Sequence, residues 1–144
     1  MFFFIVLDIV KKNELYNFFT KIKNARISPV NFRLFFSDNG STAVEVALKI
    51  ACQYWHNRKE SRHQLIAFEG AYHGDTFGAM ALGERNLFNA PFEKMLFPVR
   101  RLPWPGTWWG DQDVETKEEL VLKSLDESLE TPTAALILEP LVQG

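Results

Sequence analysis

The sequence predicts an α/β protein built on a parallel-rich sheet with flanking helices. Two short apolar runs, QLIAF (64–68) and AALIL (134–138), read as buried strands. Stretches of helical periodicity precede and separate them, and a parallel crossover needs a connection of roughly a dozen residues. These strand ends run into glycine-rich or acidic turns, where open parallel sheets gather their ligands.

From the N-terminus, MFFFIVLDIV is apolar but short, and Asp8 interrupts it. A membrane span needs about 20 apolar residues. A signal peptide carries its basic residues ahead of the apolar run, whereas Lys11 and Lys12 follow it. Residues 1–10 are expected to form a strand or a buried helix, or an atypical start. Leu15, Phe18, Phe19 and Ile22 have helical spacing, and Pro29 closes that segment. FRLFF (32–36) is a further short strand.

Val44, Ala47, Leu48, Ala51 and Trp55 then recur on one helix face. Thr42-x-x-Glu45 has the form of a capping box at its start. After QLIAF comes a polar turn, EGAYHGDT, and a short helix-like stretch, FGAMAL. LFPVRRL (96–102) reads as an irregular strand that Pro98 pushes to a sheet edge. Residues 103–113 form a loop by their proline and glycine content. Glu118, Val121, Leu122, Leu125 and Leu129 mark another helix, with Thr116 and Glu119 as its capping box and Pro132 as its stop.

Sixteen basic and eighteen acidic residues balance to -2, so no basic block points to nucleic acid. The single cysteine, Cys52, has no disulfide or CxxC partner, so no metal site is expected. Its place beside Ala51 and Trp55 predicts a small core residue, and a reducing, cytoplasmic setting is the expectation.

Three strand ends stand out. Asp38–Thr42 is compatible with two readings, a helix cap and an anion site where helix amides meet a phosphate. Lysine does not follow Gly40, so it is not a Walker A loop. Tyr72-His73-Gly74-Asp75 is either packing or a surface for a flat ligand, with an aromatic face and glycines that keep the backbone clear. Glu139 directly follows the apolar run AALIL, and a carboxylate at the end of a buried strand needs a partner or a role.

FFSDNGSTAVEVALKIACQYW, IAFEGAYHGDTFGAMALGERNLFNAPF and LILEPLVQG together resemble the class III pyridoxal 5'-phosphate (PLP) aminotransferases. Within that class the wording YHGDTFGAM is most similar to the branch that serves biotin biosynthesis. The resemblance implies an incomplete large domain of the fold-type-I PLP-dependent transferase fold. Residues 1–31 do not match the family and are expected to form an atypical N-terminal segment, with 32–144 a partial PLP-binding large domain.

The resemblance implies that Gly40 and Ser41 bind the PLP phosphate, that Tyr72 stacks on the pyridine ring, and that Glu139 lies close to the cofactor. Tyr72 and Asp75 are implied on the substrate side. The implied reaction carries an amino group from S-adenosylmethionine to 8-amino-7-oxononanoate, giving 7,8-diaminononanoate, in a cytoplasmic homodimer without nucleic-acid or membrane partners. Transamination needs a Schiff-base lysine and an acid on the pyridinium nitrogen, and in the family both follow the Glu-Pro-Leu-Val-Gln-Gly segment. No catalytic residue is therefore assigned, and this chain is expected to be inactive on its own. The alternatives are a piece of another class III enzyme acting on ω-amino acids, or a non-catalytic remnant that binds a phosphate ligand.

Overall fold

The computed structural model describes residues 4–6 and 36–139. The expected helix around residues 15–22, most of FRLFF, and Pro140, Gln143 and Gly144 lie outside the described residues. The elements in chain order are β1 (Phe4–Val6), α1 (Gly40–Asn57), β2 (Gln64–Phe68), α2 (Phe77–Leu82), a 3-10 helix (Ala90–Met95), β3 (Arg100–Leu102), α3 (Val114–Ser128) and β4 (Thr133–Leu138). The sheet order is β1-β4-β2-β3. Strands β2, β3 and β4 run parallel, with Ile66 opposite both Leu136 and Arg100. β1 joins the outer side of β4 antiparallel, pairing Ile5 with Ile137.

Both QLIAF and AALIL become central strands because both of their faces are covered. Leu65, Ala67 and Ile137 face Val44, Leu48, Ala51 and Trp55 of α1 and Leu82 of α2. Ile66, Phe68, Leu136 and Leu138 face the other way, with Leu102 of β3 and Leu125 of α3. Continuous apolar runs are what a strand buried on two sides requires. Burying a side chain such as Ile66 completely contributes roughly 1.5–3 kcal/mol. Trp55 buries its ring in this layer and donates its indole N–H to the Ala134 carbonyl at 2.8 Å, so the polar atom is not stranded. On the opposite side Trp104 meets Phe68 edge to face, 5.4 Å between centroids, and covers the margin of the core.

Several local expectations change. Helix α1 is capped by Asn39 rather than Thr42. Asn39 Oδ1 accepts the Thr42 N–H at 3.0 Å, and Thr42 Oγ1 accepts the Asn39 N–H at 3.2 Å. The capping box therefore sits three residues earlier than Thr42-x-x-Glu45, and Glu45 is released for another partner. Helix α3 starts at Val114 after Asp113, so Thr116 and Glu119 lie inside it and form no box. Only Arg100–Leu102 of LFPVRRL pairs as strand, and it takes the edge position that Pro98 suggested. Cys52 is exposed and not a core residue, because the buried stripe of α1 passes through Ala51 on its other side.

The six-residue α2 is too short to hold itself together, and side chains from elsewhere close both of its ends. Glu45 Oε1 accepts the N–H groups of Gly78 (2.7 Å) and Ala79 (3.4 Å). At the other end Arg101 donates to the carbonyls of Ala81 and Leu82, and Arg85 donates to that of Met80. An acid at the N-terminal end and arginines at the C-terminal end also match the sense of the helix dipole.

Candidate functional site

Parallel strands β2 and β4 end side by side, and α1 begins next to them. The three loops named from sequence converge through specific hydrogen bonds.

At the start of α1 the cap consumes the Thr42 N–H, and Ala43 donates to the Asn39 carbonyl. Among the described residues the amides of Gly40 and Ser41 are left as the open donors of the first turn, at the positive end of an 18-residue helix. Ser41 Oγ accepts the backbone N–H of Asp75 at 3.2 Å, which fastens the second loop to this helix end. Gly74 makes the approach possible. It holds φ +125°, and a Cβ there would lie 2.1 Å from Ser41 Oγ. Because Ser41 Oγ accepts from Asp75, its own hydrogen is available to an anion.

Tyr72 stands on the second loop with its ring half-exposed. Its hydroxyl donates to Asp75 Oδ2 at 2.8 Å, and that bond pushes the phenol pKa up. The ring is thus held at both ends, because the Tyr72 N–H donates to Glu139 Oε1 at 3.0 Å. Glu139 is 5% exposed and ties β4's end to the loop after β2. The Tyr72 N–H gives this buried strand-end carboxylate a hydrogen-bond donor.

His73 and Asp75 do not act as an acid–base pair. His73 turns inward and is buried, with Nδ1 3.6 Å from Glu139 Oε1, while Asp75 faces outward with Tyr72. Burial, aided by the charge of Arg101, lowers the His73 pKa to about 4. That outweighs a carboxylate contact too long for a hydrogen bond, so His73 is neutral.

Gly40, Ser41, Tyr72, Asp75 and Glu139 are therefore brought together by one chain of contacts. An anionic group at the Gly40–Ser41 amides, followed by a flat ring beside Tyr72, fits this shape and donor set. Two residues of the arrangement were not assigned from sequence. Gly74 was read only as a flanking glycine, and Glu45 as a cap partner.

The lysines of the described residues lie elsewhere. Lys49, Lys59, Lys94 and Lys123 are exposed on or after helices, and Lys117 donates to Asp111 at 2.7 Å. Lys117 also lies 3.9 Å from the Trp108 ring centroid, so its charge is engaged there.

A family profile described as aminotransferase class-III matches residues 1–144. The adenosylmethionine-8-amino-7-oxononanoate aminotransferase of Synechococcus elongatus is 64% identical over 113 residues, covering 78% of this chain and 27% of the relative. Its counterpart in Geobacter sulfurreducens is 40% identical over 128 residues, covering 83% of this chain and 28% of the relative. The chain thus spans about a quarter of the length of these relatives. Among solved structures, a PLP-bound amine transaminase from an uncultivated Pseudomonas species superposes with a TM-score of 0.71 at 25% identity. That match covers 99% of this chain and 34% of the other. The adenosylmethionine-8-amino-7-oxononanoate aminotransferase of Methanocaldococcus jannaschii gives 0.50 at 30% identity, over 74% of this chain and 25% of its own.

Proposed function

The chain belongs to the class III aminotransferases, and from that premise we propose that its three strand-end loops hold PLP for amino transfer from S-adenosylmethionine to 8-amino-7-oxononanoate. The fold is the fold-type-I transferase large domain in part, and the family's cofactor is PLP. The observation that carries the reading is the pair of bonds joining the loops, Asp75 N–H to Ser41 Oγ and Tyr72 N–H to Glu139 Oε1. The choice of substrates follows the named activity of the relative at 64% identity.

In this reading each residue has one task. The amides of Gly40 and Ser41, with the Ser41 hydroxyl, take the phosphate. The ring of Tyr72 covers one face of the pyridine, and its bond to Asp75 sets the ring's tilt. Glu139 holds the backbone of Tyr72 so that the ring does not swing away. Asp75 presents its carboxylate, shared with the Tyr72 hydroxyl, to the amino substrate. When bound, PLP supplies an electron sink for breaking bonds at the amino-bearing carbon.

No lysine of the chain falls within the three loops. The 144 residues by themselves are therefore proposed to bind PLP without amino transfer. Leu87, Phe88 and Met95 beyond α2 are exposed apolar side chains, and in this reading the full-length enzyme is a homodimer.

The test is spectroscopic and kinetic. The purified chain should bind PLP in competition with inorganic phosphate, and show neither lysine-linked absorbance nor amino transfer. A full-length protein carrying this segment should convert 8-amino-7-oxononanoate with S-adenosylmethionine in preference to ω-amino acid donors. Preference for the latter would place it with the other class III enzymes.

A further inference from the structure

We propose that Glu45 is a positioning residue for this site, one that holds the Tyr72–Asp75 turn level with the Gly40–Ser41 amides. The proposal rests on the PLP reading above. Ser41 and Glu45 lie at i and i+4 on α1 and so share a face. Each accepts from the segment that leaves the turn: Ser41 Oγ from Asp75 N–H at 3.2 Å, and Glu45 Oε1 from Gly78 N–H at 2.7 Å and Ala79 N–H at 3.4 Å. Two rungs one helical turn apart fix both the height and the direction of residues 75–79.

Glu139 holds the near side of the turn through the Tyr72 N–H at 3.0 Å, and these two rungs hold the side that leads into α2. Residues 69–76 belong to no strand or helix, and α2 is only six residues long. The lower rung is made easier by glycine, since a Cβ on Gly78 would press on the Glu45 carboxylate. The Glu45 carboxylate is engaged by these two backbone N–H groups. It acts through the backbone of Gly78 and Ala79, and its effect is to order the turn before the ring of the ligand arrives.

The test uses the 144-residue chain with PLP, inorganic phosphate and amide hydrogen exchange as three separate readouts. In Glu45→Ala, PLP affinity should fall about tenfold and exchange at residues 75–79 should rise about as much, as expected when a charged acceptor is lost. Inorganic phosphate, followed by phosphorus NMR, should bind within about twofold of wild type, because the first turn of α1 is capped by Asn39 and not by Glu45. A merely structural role would weaken both ligands together. Glu45→Gln keeps an oxygen acceptor and should recover most of the PLP affinity. Gly78→Ala adds a methyl that the flexible end of Glu45 must move to clear, so PLP affinity should weaken in the same direction but by less than in Glu45→Ala.

Parallel loss of PLP and phosphate affinity, or undiminished PLP affinity in Glu45→Ala, overturns the proposal. A wild-type chain that takes up neither ligand sinks the PLP reading instead. Hydrogen exchange then still decides the clamp, and unchanged exchange at residues 75–79 in Glu45→Ala overturns it.

Discussion

Glu139 accepts the backbone N–H of Tyr72 at 3.0 Å across 67 positions of sequence. One buried carboxylate at the end of β4 thereby sets the position of an aromatic ring on the loop after β2. The bond joins two neighbouring parallel strands at the end where such sheets bind ligands.

Removing that acceptor leaves a backbone donor without its partner. Glu139→Ala should destabilise the chain by about 1–3 kcal/mol, read from urea unfolding. Glu139→Gln retains an oxygen toward Tyr72 and should cost less than half as much. Equal losses in the two variants would show that the bond to Tyr72 is not what Glu139 provides.

The Ser41–Gly74 approach makes a second prediction. Gly74→Ala adds a methyl that meets Ser41 Oγ and puts a side chain at φ +125°. Stability should fall by about 1–3 kcal/mol and PLP binding should weaken. The double variant Gly74→Ala with Ser41→Gly removes the contacts with the serine side chain but leaves a tight one at the residue 41 Cα (3.0 Å) and the backbone strain. Part of the stability should therefore return, while PLP affinity stays low because the serine hydroxyl is gone.

The neutral, buried His73 makes folding sensitive to acid. Its pKa is about 4 in the fold against an ordinary value near 6.5. Between these values the unfolded chain binds a proton that the native chain does not, so stability is full above pH ~6.5 and falls as pH drops toward ~4. The loss attributable to His73 should reach about 2 kcal/mol by pH ~5. Comparing urea denaturation of wild type and His73→Gln at the two pH values isolates it. If both proteins lose stability in parallel, His73 is not the sensor.

Under the proposed PLP reading, two variants of Tyr72 should separate cofactor from substrate effects. Tyr72→Phe keeps the ring but frees the Asp75 carboxylate, whose partner is the Tyr72 hydroxyl at 2.8 Å. PLP affinity should stay within about threefold, and in a full-length enzyme KM for the amino substrate should change more than kcat. Tyr72→Ala removes the stacking face and should lower PLP affinity about tenfold, measured by the same titration.

Much of this was legible from residues alone, for local reasons. QLIAF and AALIL carry unbroken apolar runs, and only a strand covered on both sides uses such a run. Val44, Leu48, Ala51 and Trp55 mark the buried stripe of α1 by their spacing. Glycine, serine, a tyrosine between glycines and a strand-end glutamate already marked the three loops. Other details misled because capping chemistry is degenerate. Asn39 and Thr42 both suit a cap, and the choice between them depended on where the chain turns into α1. Cys52 looked internal because it adjoins Ala51, although one step around a helix rotates a side chain by about 100°.

By itself the sequence determined the α/β class, the strands and helix faces, and which short motifs stand at strand ends. These follow from periodicity and turn chemistry, which act over a few residues. Only the tertiary structure decided what those motifs do to one another. It turned Glu45 from a cap partner of its own helix into the cap of α2, set Gly74 against Ser41, and sent His73 inward while Asp75 stayed with Tyr72. The physical reason is distance along the chain. Hydrogen bonds between residues 33, 34 and 67 positions apart depend on how helices and strands pack, and no local pattern encodes that.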